Sequence, residues 1–265
     1  MTTTSVRAVR RVPTELWSFW VHGRPVERTA YAVGAALIVS GLFHLGVYAV
    51  LGGPWEGPVS WRKPVTFGLS FGITLITLAW VTSYLQLSPS RRRLWLGLLT
   101  AASIGEVALI TLQGWRHRPS HFDMETAVDT AIARSLAVGG AVLIVVVLAL
   151  AVAAFRSPAV SPGMTLAIRA GFVALVTSML AGGVMIAVGV ALTVAGHQQE
   201  AYATGGFLKP LHAVTLHGIL VLPGLAWLAG LVGADEAAEL RLVRYAVGVY
   251  AAAAAGALAL SLAGL

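Results

Sequence analysis

The run AVDTAIARSLAVGGAVLIVVVLALAVAA, Ala127 to Ala154, carries two ionisable side chains, Asp129 and Arg134, in 28 residues. A helix crossing a bilayer core takes about 20 apolar residues, and lipid forces the backbone to satisfy itself internally, so the run predicts a transmembrane helix. Six further runs read the same way: Ala30 to Leu51, Pro64 to Leu85, Leu94 to Leu112, Met164 to Val194, Leu208 to Leu231 and Val243 to Leu262. The sequence therefore predicts an all-α polytopic membrane protein, a bundle of about seven transmembrane helices, multi-pass in the cell membrane. The Ala127 and Met164 runs exceed what a span requires, which predicts tilt or protrusion.

Composition agrees. The 265 residues are 57% hydrophobic and 11% charged, with a mean hydropathy of +0.81. The chain has no cysteine, which removes disulfides, thiolate metal sites and cysteine nucleophiles. Net charge is +7, but the arginines are scattered among the loops, so membrane orientation explains them and nucleic acid is excluded as a partner. The partners expected are the lipid bilayer and a lipid-soluble small molecule, with a homo-oligomer left open.

No cleavable signal peptide is read in the first thirty residues, which hold five arginines and no apolar h-region. Residues 1–29 are expected to be a cytoplasmic, interfacial segment, with the aromatics of Thr14 to Trp20 at headgroup level, and residues 30–265 a single transmembrane domain. Twelve basic residues fall on one side of the seven spans, among them Arg91 to Arg93, and six on the other. The excess predicts a cytoplasmic N-terminus and an external C-terminus. On this reading the cytoplasmic loops are ordinary arginine-rich turns.

The external connections are unusual. GWRHRPSHFDMETAVD, Gly114 to Asp129, packs two arginines, three acids and two histidines between apolar runs. A rise of about 1.5 Å per residue places Glu106 and Arg134 each roughly 12 Å below the outer surface, which predicts an intramembrane ion pair between them. The same conversion puts His44 about 10 Å and His217 about 14 Å deep, with His212 higher on the same helix. Five residues apart, His212 and His217 are rotated about 140° around a regular helix and meet only across a local bulge. His121, Glu125 and Asp129 share a face if the next helix starts early; alternatively Asp123 is its N-cap and His121 stays in the loop.

These residues predict a polar pocket that opens outward and descends to a layer of Glu106, Arg134 and His217. Glu106, Asp129 and His121 are its candidate acids and bases. Arg62, Lys63, Arg116, Arg134 and Lys209 are candidates for binding an anionic group, the alternative for Arg62 and Lys63 being an interfacial belt with Trp55 and Trp61. His44, His212 and His217 are candidate metal or haem ligands. The cofactor is left open between b-type haem and a divalent metal. No phosphate-binding glycine loop, HExxH or GxSxG motif occurs.

The stretches WRKP (Trp61 to Pro64), Glu106 with Gln113 six residues between them, SHF (Ser120 to Phe122) and PLHAVTLH (Pro210 to His217) resemble a group of multi-pass bacterial membrane proteins of actinobacterial type. The resemblance spans roughly Val39 to Leu228 and implies the architecture and a shared pattern that includes Lys63, Pro64, Glu106, Gln113, Ser120, His121, Asp129, His212 and His217. It implies no activity. A looser comparison is with seven-helix metal-dependent membrane hydrolases, from which the HxxxxH spacing in the sixth span departs. The leading expectation is a membrane-embedded enzyme using acid–base or metal-assisted chemistry on an isoprenoid, quinone or acyl lipid. The alternatives are a b-type haem electron carrier, with His44 and His217 as axial ligands, and a proton-linked transporter or sensor.

Overall fold

The computed structural model describes residues 3–158, 161–204 and 206–263. All regular structure among them is helical: α1 (Thr3–Val21), α2 (Pro25–Leu51), α3 (Arg62–Thr82), α4 (Pro89–Trp115), α5 (Ala127–Arg156), α6 (Pro162–Val194), α7 (Gln198–Thr204), α8 (Lys209–Leu216), α9 (Gly218–Leu231) and α10 (Glu236–Ala263). Seven spans are long and apolar enough to cross a membrane, with α8 and α9 together forming the sixth. Their starts follow from sequence. Ser88, Thr126 and Ser161 cap α4, α5 and α6, and proline follows Ser88 and Ser161 directly, where its missing N–H is harmless.

Two groups of helices make the bundle. One is α2, α3 and α4; the other gathers α8, α9 and α10 against α6; α5 lies between α4 and α6, and α3 meets α9. The tightest pairing is α2 with α3, and glycine permits it. A Cβ on Gly68 would lie 2.8 Å from the Gly41 Cα, and one on Gly72 would lie 2.5 Å from the Gly34 carbonyl oxygen. Without a hydrophobic force between helices in lipid, such backbone approach is what holds spans together.

The three long connections, 52–61, 116–126 and 195–208, lie at one end of the bundle, and the short arginine-rich turns at the other. At the short-loop end the arginine triplet is not an ordinary turn. Arg92 is buried, pairs with the buried Glu27 at 3.1 Å, and donates to the carbonyls of Thr82 and, at 2.9 Å, Leu85. Arg24 adds a second ion pair to Glu27 at 3.0 Å. One carboxylate and one guanidinium thus bind together the start of α2, the end of α3 and the start of α4. The exposed Arg91 and Arg93 fit the turn reading; Arg92 overturns it.

The sixth span is interrupted at His217. The carbonyl of Val214, left by the break, accepts from the Tyr250 hydroxyl of α10 at 2.6 Å, so a side chain replaces the missing helical donor. Gly218, just after the break, sits where a Cβ would fall 2.6 Å from the Ala174 side chain of α6.

Gly68→Ala is expected to lower the melting temperature in detergent, by the equivalent of about 1–3 kcal/mol for an overpacked contact. Gly97→Ala and Gly105→Ala, where an added Cβ meets nothing within 4 Å, should not lower it. Glu27→Ala should cost about 3–5 kcal/mol, because it strands a buried guanidinium.

Candidate functional site

The connection between α4 and α5 folds back on the bundle as a charged plug. At its centre lies Gln113, fully buried in the last turn of α4. Its amide Nε2 donates to the Pro119 carbonyl at 3.2 Å and to Asp129 Oδ1 at 3.1 Å, while its Oε1 accepts from Arg116. Asp129 also takes the Arg116 guanidinium at 2.6 Å and the Thr126 hydroxyl at 2.6 Å, and Arg118 stands 3.9 Å from its second oxygen. Arg118 is held in turn by Glu125 at 2.6 Å. Most of the ionisable chemistry between Gly114 and Asp129 is therefore spent on closing this loop. Asp129 has both oxygens engaged, and Arg116 Nη1 is shared between that carboxylate and Gln113.

The helix start differs from both sequence alternatives. Thr126 caps α5 by accepting from the Asp129 N–H, whereas Asp123 accepts from Glu125 N at 3.1 Å in a tight turn. His121 and Glu125 consequently belong to the loop and form no stripe with Asp129. His117 and Phe122 hold left-handed backbone at φ 53° and 66°, each costing about 1–3 kcal/mol. The Phe122 ring fills the notch at Gly189 of α6, and its carbonyl accepts from Gln198 at 2.8 Å. The surplus length of α6 supplies the wall for this contact.

Beside the plug lies a second group. Lys63, in the first turn of α3, donates to the Pro58 carbonyl at 2.8 Å and reaches the Ser120 hydroxyl at 3.4 Å. Ser120 is buried, and its Oγ lies 2.9 Å from His121 Nδ1. The His121 ring is half-buried between Phe67 and Phe122, at 6.2 and 6.1 Å between ring centres. That burial, with the Lys63 charge beside it, pushes the imidazole down to about 4, so it is neutral at physiological pH. Arg62 pairs with the exposed Glu56 at 3.2 Å, and Lys209 lies close enough for its charge to bear on Lys63.

The expected layer of Glu106, Arg134 and His217 is not assembled. Glu106 is buried against Gly139 of α5, and its Oε1 has no hydrogen-bond partner. Arg134 is exposed and forms no ion pair with it. The reason is rotation. Arg134 is two residues, roughly 200°, from the buried Ile132 and again from Leu136, so it points away from α4. His217 is exposed at the helix break, with Nδ1 on the Ala213 carbonyl at 2.8 Å. Between His121 and Glu106 lies an apolar layer of Phe67, Ile110, Ile132 and Leu136.

The other histidines are also accounted for. His44 has both ring nitrogens engaged, Nδ1 against the Ser40 carbonyl at 2.7 Å and Nε2 accepting from the Trp115 indole at 3.0 Å. His212 Nδ1 is held by Ser178 of α6, at 2.8 Å from its carbonyl and 3.0 Å from its hydroxyl. Among the described residues no three His, Asp or Glu side chains converge as a metal centre would need. Sequence reasoning weighed charges and histidines by depth and so passed over Gln113 and Ser120 as site residues in their own right. A lone amide in an apolar helix, and a hydroxyl preceding a histidine, were the available signals.

Asp129→Asn is expected to produce the largest fall in melting temperature among single carboxylate changes at this end. Glu106→Gln should leave the melting profile unchanged; a clear loss would show that the carboxylate has an ionic partner. Gly139→Ala should lower it, since the new methyl would collide with the Glu106 carboxylate.

The chain matches no protein-family model, no curated protein and no solved structure in comparisons of each kind, and its site is read from its own chemistry.

Proposed function

We infer that this chain is a membrane-embedded enzyme that acts by acid–base chemistry on a lipid-soluble substrate carrying an anionic group. The observation that supports the reading is the chain of contacts Lys63 Nζ, Ser120 Oγ and His121 Nδ1 at the long-loop end of the bundle. Lys63 donates to the hydroxyl, the hydroxyl donates to the imidazole, and a neutral imidazole is ready to accept the proton. Lys63, with Lys209 and Arg62 near it, favours an anionic substrate group arriving from the bilayer. The asymmetry of basic residues supports a cytoplasmic N-terminus, which puts this site on the external face.

A second reading, proton-linked transport, is favoured by one observation: Glu106 is a buried carboxyl in a span with no counter-ion among the described residues. Proton uptake by proteoliposomes that is lost in Glu106→Gln and kept in His121→Ala would select it over the enzyme.

Chromogenic acyl and phosphoryl esters with long alkyl chains, presented in mixed micelles, provide the test. Turnover by the native chain should fall by about 10²–10⁴ in His121→Ala and in Ser120→Ala, and be unchanged in Arg134→Ala. The pH profile should be flat from pH 8 to about pH 5 and decline as His121 is protonated near 4, not near the ordinary histidine value of about 6.5. Activity that survives both substitutions excludes the assignment.

A further inference from the structure

A cavity of about 410 Å³ lies at the other end of the bundle, where α1 covers α3 and α9. Its walls are almost wholly apolar, and rings dominate them: Phe19 and Trp20 from α1, Tyr31 from α2, Trp80 from α3 and Trp227 from α9. Phe19, Trp80 and Trp227 pack on one another with centres 6.1 to 6.3 Å apart. A volume of this size is that of a small-molecule site rather than a packing defect. Thr77, a wall residue, is buried, and Gly224 leaves open space where a side chain would stand.

A cation adjoins this end of the cavity. A Cβ on Gly23, in the turn between α1 and α2, would lie 2.6 Å from the Phe19 carbonyl oxygen and 3.4 Å from the Arg28 Cγ. The Arg28 stem therefore rests against the turn that carries Phe19 and Trp20, three residues before Tyr31 on α2. Arg28 is exposed, and its guanidinium has no ion pair among the described residues. An apolar chamber with an exposed arginine on the adjoining turn, at the end of the spans, matches a molecule with a hydrocarbon chain and an anionic head.

We propose that this cavity binds one anionic lipid, with its hydrocarbon chain among Phe19, Trp80 and Trp227 and its phosphate on Arg28. Charge complementarity sets the head and the ring-lined wall the chain; cations of an interfacial segment attract anionic lipid in the same way. The chain chemistry is shared by phospholipid acyl groups and polyprenyl phosphates. This site is separate from the Lys63, Ser120 and His121 group and does not depend on the proposed enzyme reading.

Three wall tryptophans allow a direct test. The purified full chain in detergent is titrated with phosphatidylglycerol brominated in mid-chain, and separately with phosphatidylcholine brominated alike, while tryptophan fluorescence is followed. Saturable quenching near one equivalent is expected, with half-saturation at least threefold lower for phosphatidylglycerol. Gly224→Leu, whose side chain enters open space, should abolish the saturable component while the melting temperature holds. Arg28→Gln should keep the quenching and lose the preference for phosphatidylglycerol. If Gly224→Leu fails to fold, Trp80→Phe and Trp227→Phe should each lower the saturable amplitude. Mass spectrometry of lipid carried through purification separates the sources: a phospholipid in one case, a polyprenyl phosphate in the other. Quenching that never saturates, or that is identical in Gly224→Leu, overturns the site.

Discussion

The backbone contact between α2 and α3 at Gly34, Gly41, Gly68 and Gly72 is the constraint on which both ends of the molecule depend. Because those helices lie in contact along their length, fixing their separation and register fixes what projects from each end. At one end the seam brings the α2 start and the α3 finish within reach of Arg92. At the other it sets His44 beside Trp61, at 6.2 Å between ring centres, and hands Lys63 to the loop from α4. Side chains as small as a methyl at the seam would shift both sets of groups at once.

Charge in this bundle is handled by pairing at the ends of spans rather than in their middle. Glu27 with Arg92 does so at the short-loop end, and Asp129 with Arg116 at the other. Glu239 at the start of α10 accepts from the Ser161 hydroxyl at 2.6 Å, close to the start of α6, where the helix dipole favours a carboxylate. Each places the penalty of a buried ion where helix termini, carbonyls or neighbouring cations offset it. Glu106 is the departure from this pattern.

The spans were legible because apolar runs of this length have one outcome in lipid, and the boundaries fall within a few residues except where α2 begins earlier, at Pro25, α4 at Pro89 and α10 at Glu236. Rotation was not. Arg134 and Glu106 were expected at matching heights, yet the Glu106 carboxylate lies against Gly139, five residues further along α5, and Arg134 is turned outward; counting residues from the helix ends cannot show either. The break at His217 was legible only as a condition for bringing two histidines together; its cause is the fit of Gly218 against Ala174 and the donor supplied by Tyr250, both from distant parts of the chain. In the loop from Arg116 to Thr126, composition announced unusual chemistry. The left-handed turns at His117 and Phe122 then decided which groups were spent on each other and which, Ser120 and His121, met Lys63.

The bond from Tyr250 to the Val214 carbonyl bears on how the protein comes to be made. A sixth span inserted alone has no phenol to offer that oxygen, and in hydrocarbon an unsatisfied carbonyl costs several kcal/mol, so the segment is most stable as one unbroken helix. The donor arrives only with α10, a span made after the sixth. The break at His217, and the position it gives to α8, are therefore acquired only once α10 has packed against the sixth span.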